Sequence, residues 1–182
     1  MSASNHIKVK DQTFELLLSE DEIKVKINAI AHQISQDYQE KKPLFIAVLN
    51  GSFIFAADLF REISIPAEIS FIRMASYEGT TSSGEIKQIL GLSDNIFQRD
   101  IIIVEDIIDS GLTMEKILEH FNERGAKSVE VCSLLVKPGN IKSAFSIEYK
   151  CFEIGDEFVV GYGLDYDGEG RNLKDIFQLS TD

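Results

Sequence analysis

Residues 101–113, IIIVEDIIDSGLT, constrain this chain more than any other stretch. Four apolar residues, all β-branched, make a strand that is covered on both faces. The run stops at two adjacent carboxylates, Glu105 and Asp106. Asp109 adds a third, followed by Ser110, Gly111, Leu112 and Thr113. Met114, Ile117, Leu118 and Phe121 then recur at helical intervals. The spacing predicts a strand over 101–105, a hydroxyl-rich turn and a helix. Free N–H groups and the positive end of the helix dipole meet in such a turn and can cradle a phosphate. Acids beside a phosphate cradle repel its ligand unless they hold a sugar hydroxyl or a metal.

The chain of 182 residues is long enough for one sizeable core, and 1–182 reads as a single domain. Its net charge of −12 argues against tracking a nucleic-acid backbone and against binding an anionic membrane surface. A phosphorylated substrate would need local cations, and Mg²⁺ is the natural one. Cys132 and Cys151 sit in apolar stretches and read as buried free thiols rather than a disulfide framework. His6, His32 and His120 lack metal-ligand spacing. The first residues do not read as a signal peptide, no apolar run reaches the length of a membrane span, and the expected location is cytoplasmic.

Strands and helices alternate along the chain. Ser19 and Glu22 have the spacing of a capping box, and Ile23, Ile27, Ile30, Ala31, Ile34 and Tyr38 continue at helical intervals toward a stop near Pro43. Residues 44–49 read as a buried strand. Residues 53–60 read as a helix with Phe53, Ala56, Ala57 and Phe60 on its apolar stripe. Residues 67–73 form a strand, 76–84 a polar loop expected to be mobile, and 85–90 the returning arm of a hairpin. Gly125 suits the end of the helix after Thr113. Strands follow at 128–136, 149–154 and 158–164. The pattern predicts an α/β fold with a largely parallel central sheet flanked by helices. Ligands bind such sheets beyond the carboxyl ends of the strands, where Asn50-Gly51, Glu105-Asp106 and Lys137 would share one rim.

Each candidate has a plainer reading. Asp109 is a plausible turn former. Ser110, Gly111 and Thr113 could simply cap a helix, although capping and phosphate binding use the same N–H groups. Asn50-Gly51 suits an ordinary turn, Lys137 a solvated turn, Phe158 the core, and Asp165 and Arg171 the surface.

Taken in order, these blocks resemble the type I phosphoribosyltransferases, and among them the hypoxanthine(-guanine) phosphoribosyltransferases. The resemblance rests on VLNGS at 48–52, SFIR at 70–73 with Ser76-Tyr77, VEDIIDSGLT at 104–113, LLVK at 134–137 and FVVGYGLDY at 158–166. It implies transfer of ribose 5-phosphate from phosphoribosyl pyrophosphate to N9 of a 6-oxopurine, with Mg²⁺, releasing pyrophosphate and a purine nucleotide. It also implies a small hood built from the termini, a flexible catalytic loop, and a homodimer or homotetramer. By the same resemblance, Glu105 and Asp106 hold the ribose hydroxyls directly or through Mg²⁺, and Asp109 handles a proton at N7. Asp109, Ser110, Gly111, Leu112 and Thr113 bind the 5′-phosphate. Leu49, Asn50, Gly51 and Arg171 meet pyrophosphate, in the family often through a non-proline cis peptide. Lys137 donates to O6, Phe158 stacks on the purine, Val159 meets its edge, and Asp165 reaches a second Mg²⁺ beside the base. Ser76 and Tyr77 belong to the loop that closes over the reacting centre. Asn50 stands where some relatives carry lysine, and Ser110 where threonine is common. Two other functions stay open from the residues: transfer to another base such as xanthine, and a non-catalytic phosphoribosyl-binding regulator.

Overall fold

The computed structural model describes residues 6–75, 88–90 and 95–180. The chain opens with an antiparallel pair, β1 (His6–Val9) and β2 (Gln12–Leu18), and then α1 (Glu20–Asp37). Ser19 and Glu22 cap α1 reciprocally, as their spacing predicts, and Asp175 accepts the Glu20 N–H at 2.7 Å. Next come β3 (Leu44–Leu49), α2 (Phe53–Glu62), β4 (Glu68–Ala75) and β5 (Gln88–Leu90). The strand β6 (Asp100–Ile108), the helix α3 (Leu112–Glu123) and the strand β7 (Ser128–Val136) form the unit anticipated around Glu105. A 3₁₀ turn (Pro138–Asn140), β8 (Tyr149–Glu153), β9 (Val159–Val160) and β10 (Ile176–Leu179) complete the described elements.

The central sheet has the order β5-β4-β3-β6-β7-β8, and every pairing is parallel except β4 with β5. Both faces are covered, which explains the uninterrupted apolar runs of β3 and β6. Phe45, Ala47, Ile102 and Val104 pack on the side of α1 and α2. Leu44, Ile46, Val48, Ile101 and Ile103 pack on the side of α3 with Met114, Ile117 and Phe121. A Schellman closure ends α3, with Gly125 at φ +75° and the Ala126 N–H donating to Phe121 O at 3.2 Å.

A second sheet, ordered β1-β2-β10-β9, is the hood made from the two ends of the chain. Its own small core is Val9, Phe14, Val160 and Phe177. Periodicity had not revealed β1, β2 or β10. These strands are short, and only β10, arriving from more than 150 residues away, pairs the terminal hairpin with the rest of the hood.

Three local expectations change. The buried face of α2 is Phe55, Ala56 and Leu59, whereas Phe53 and Ala57 are exposed. The helix is rotated because Phe55 and Leu59 reach the shared core, while Phe60 meets Phe45 edge-on at 5.5 Å. The strand expected over 158–164 is only β9, since Gly161, Tyr162 and Gly163 all have positive φ and turn the chain out of the sheet. The strand expected to stop at Glu105 runs on to Ile108. The anticipated loop at 76–84 lies outside the described residues.

The capping box gives a stability test. Ser19→Ala removes the side-chain acceptor at the start of α1 and should cost about 1 kcal/mol. The expected readout is a lower urea midpoint with an unchanged slope.

Candidate active site

The site lies at the carboxyl ends of β3, β6 and β7, where an open α/β sheet presents ligands. Its centre is the acid pair. Glu105 and Asp106 do not follow the strand end but lie inside β6. Here the face alternation slips: Ile107 packs on the α1–α2 side and Ile108 on the α3 side, opposite to the parity of Ile101 to Val104. The slip lets two sequence neighbours face one another instead of opposite sides of the sheet. Burial pushes the Glu105 carboxyl well above its usual range, and the charge of Asp106 beside it adds to the effect. Burial also raises Asp106, against the hydrogen bond from Glu105 and the pull of the Ile107 N–H and of Arg171. Like charges this close oppose joint ionisation, and the effect is strongest at Glu105. Glu105 Oε2 is buried and has no hydrogen-bond partner.

Gly51 decides how the β3–α2 turn meets this pair. A Cβ at Gly51 would lie 1.6 Å from Asp106 Oδ2, so only glycine fits. The turn is held from below by Ser52, whose buried hydroxyl donates to Val48 O at 2.6 Å. The Leu49–Asn50 peptide is cis. Gly163 covers the turn from the hood side: it has φ +104°, and a Cβ there would lie 2.1 Å from Gly51 O. Arg171 is anchored in the same layer. It donates to Gly163 O at 2.6 Å and pairs with Asp165 at 2.6 Å.

On the other side of the acids, residues 109–113 form the turn into α3. A cavity of about 160 Å³ is lined by Glu105, Asp109, Ser110, Gly111 and Thr113. Gly111 is left-handed at φ +78°, and no side chain caps the first turn of α3. The helix therefore presents free N–H groups to the cavity. Phe145 packs where a Gly111 Cβ would be, 2.8 Å from it, so the turn cannot relax backwards.

The base-side residues follow β7. Lys137 is buried, its N–H donates to Ile108 O at 2.9 Å, and its Nζ lies 3.7 Å from Asp109 Oδ2. The Asn140 amide donates to Asp109 Oδ1 at 2.8 Å and to Asp156 Oδ1 at 2.6 Å. Phe158, plainly read as core, is 46% exposed. Its ring is flanked by Tyr166 at 5.9 Å and Phe14 at 6.3 Å in the hood. Val159 is buried in β9.

The structure thus brings together Leu49 to Gly51, Glu105, Asp106, residues 109–113, Lys137 and Arg171. Asp165 is turned to Arg171 and to the Gly168 N–H, and the described residues contain no cluster of three or more acidic, histidine or cysteine ligands. Ser76 and Tyr77 lie outside the described residues. Sequence reasoning missed Asn140, Asp156 and the role of Gly163. The Gly161-x-Gly163 repeat was a usable signal for the last; the two polar residues carried none.

The chain is similar to known proteins over most of its length. Residues 15–167 match the model of the phosphoribosyl transferase domain. The chain belongs to that family. It is 43% identical over 169 residues to the hypoxanthine-guanine phosphoribosyltransferase of Bacillus subtilis, covering 92% of this chain and 94% of that protein. It is 41% identical to the hypoxanthine phosphoribosyltransferase of Buchnera aphidicola, with 90% and 94% covered. A crystal structure of a hypoxanthine-guanine phosphoribosyltransferase from Bacillus anthracis, with HEPES in the active site, superposes with a TM-score of 0.81 at 40% identity, covering 92% of this chain and 97% of that one. A Staphylococcus aureus hypoxanthine phosphoribosyltransferase gives 0.83 at 38% identity, with 91% of each covered. The parallel sheet and its terminal hood are the type I phosphoribosyltransferase fold.

Two outcomes follow from the acid pair. An acid raised in the folded state binds its proton more tightly there than in the unfolded chain, so its stabilising effect is full at low pH. That effect is lost as pH rises from the ordinary carboxylate range toward the raised value. Glu105→Gln should therefore be more stable than the parent at pH 8, with the gap closing toward pH 4, in urea unfolding at both pH values. Gly51→Ala should lose about 1–3 kcal/mol through overpacking against Asp106, with loss of the site, read by the same unfolding curves and by turnover.

Proposed function

We infer that this enzyme transfers the 5-phosphoribosyl group of phosphoribosyl pyrophosphate to a 6-oxopurine, hypoxanthine and guanine, in purine salvage. The C1–O bond to pyrophosphate breaks, the N9–C1′ bond forms, and the purine gives up a proton. One observation carries this reading: a buried acid pair lies between an uncapped helix start and a glycine turn that touches the pair directly. A phosphate at one end, a diphosphate at the other and a polyhydroxylated ring between them fit that order of groups.

The roles follow the chemistry. Residues 109–113 take the 5′-phosphate on the free N–H groups of α3. Leu49, Asn50 and Gly51 offer backbone to the pyrophosphate, and Arg171 adds the charge that Asn50 does not supply. Glu105 and Asp106 hold the ribose hydroxyls and stabilise the cationic sugar as the bond to pyrophosphate lengthens. The partnerless Glu105 Oε2 suits a bound cation as well as a hydroxyl. Mg²⁺ held by Glu105 and Asp106, and a second ion reached by Asp165, would neutralise the departing pyrophosphate. Ser76 and Tyr77 exclude water from the reacting centre. Asp109 takes the proton at N7. Lys137 donates to O6, selecting against adenine, whose amino group at that position is itself a donor. Phe158 offers an exposed ring for stacking, and Val159 sits at the purine edge. Residues 1–182 act as one domain in a cytoplasmic homodimer or homotetramer. No described helix is long and apolar enough to cross a membrane.

Turnover of hypoxanthine, guanine, xanthine and adenine with phosphoribosyl pyrophosphate, with and without Mg²⁺, tests the reading. Mg²⁺-dependent conversion of hypoxanthine, and little of adenine, is expected. Lys137→Ala should raise KM for the oxo-purine tenfold or more, by roughly the worth of a charged hydrogen bond, while binding of phosphoribosyl pyrophosphate is retained. Binding without turnover of any purine would point instead to a regulator.

A further inference from the structure

The Asn140 side chain has an arrangement that the transfer reaction, as described, leaves unused. Its amide lies between two carboxylates, Asp109 Oδ1 at 2.8 Å and Asp156 Oδ1 at 2.6 Å. Carboxylates at this spacing only accept, so both amide hydrogens are committed and the amide orientation is fixed by its partners. Asp156 lies on the turn between β8 and β9, and Asn140 on the 3₁₀ turn after β7. The two turns are thereby stitched together above Asp109. That anchoring matters because Asp109 is itself exposed, on a turn, and no other hydrogen bond to its carboxylate is found among the described residues. Lys137 stands at 3.7 Å from the other oxygen, Oδ2, beyond a good hydrogen bond. An exposed aspartate with free χ angles samples several rotamers, and a proton acceptor misplaced by about 1 Å loses much of its effect.

We propose that Asn140 is a positioning residue for Asp109, and that Asp156 holds it in place. Asn140 clamps Oδ1 and leaves Oδ2 directed at the purine, on the side where Lys137 meets the same ring. The clamp contributes no proton and touches no reacting atom. It narrows the orientations of Asp109 and keeps a donor on its carboxylate throughout the cycle. Asp156 accepts the second amide hydrogen, which prevents the amide from turning its oxygen toward Asp109.

This inference rests on Asp109 being the group that takes the purine proton, and the test separates the two claims. Asn140→Ala and the isosteric Asn140→Asp should each lower kcat about tenfold or more, the loss expected for a hydrogen bond to a charged group. KM for phosphoribosyl pyrophosphate should stay unchanged in both. Asp156→Asn, which keeps an acceptor for the amide, should lose less than Asp156→Ala. The deciding measurement is the cycle with Asp109→Asn. Once Asp109 has been replaced, Asn140→Ala should cost nothing further in kcat. An equal loss in both backgrounds, or no loss in the parent, overturns the clamp. If Asp109→Asn itself turns over like the parent, the role of Asp109 fails first, and the clamp with it.

Discussion

Two carboxylates, Glu105 and Asp106, are kept side by side at the sheet's carboxyl edge, Asp106 buried and Glu105 lining the cavity, and much of the surrounding architecture is arranged to make that tolerable. Burying two like charges is unfavourable unless a proton, a cation or donors compensate. Here burial raises both carboxyls, the charge of Asp106 adds to the effect at Glu105, and Arg171 lies close enough to pull Asp106 back down. The slip of alternation in β6 brings the two side chains together. The bare Cα of Gly51 makes room for Asp106, and Gly163 in turn makes room for Gly51. Enlarging either glycine forces its neighbour to move, because an added Cβ would lie below van der Waals distance of Asp106 at Gly51 and of the Gly51 carbonyl at Gly163.

This arrangement is unfavourable for the resting protein and useful for the reaction. A raised carboxyl with an unpartnered oxygen is a loss of stability that a cation or a sugar hydroxyl can recover on binding. The uncapped start of α3 is the same kind of feature: N–H groups that a capping side chain would otherwise take stay free for an anion. Stability is supplied elsewhere, by the double-sided core of β3 and β6, the reciprocal cap of α1 and the Schellman closure of α3. The hood contributes in a different way. Its strands come from both terminal regions of the chain, so the exposed ring of Phe158 meets Tyr166, eight residues on, and Phe14, which is remote in sequence.

Much of the fold was legible before the structure. Helix α1 carried its start signal in Ser19 and Glu22, and β3, β6 and β7 showed themselves as short apolar runs between turn residues. Helix α3 followed from spacing alone. Helix α2 was placed correctly but turned to the wrong face. With apolar residues on nearly every side, Phe53 competes with Phe55 on composition, and only the position of the core chooses between them. The strand after Phe158 was overextended, because its alternating residues look β-like while the positive φ of Gly161, Tyr162 and Gly163 bends them away.

By itself the sequence determined the strand–turn–helix at 101–123, the residue types of the phosphate turn, and the need for glycine where backbone must approach closely. These are local properties, set by residues within one or two turns of each other, and periodicity reports them directly. Only the tertiary structure decided that Asp106 rests on Gly51, that Gly163 closes over the same turn, that Asn140 joins Asp109 to Asp156, and that Phe158 is exposed rather than core. Each of these depends on the packing of segments brought together by the sheet order, some more than 100 residues apart. No pattern confined to neighbouring positions encodes which of two distant surfaces will meet.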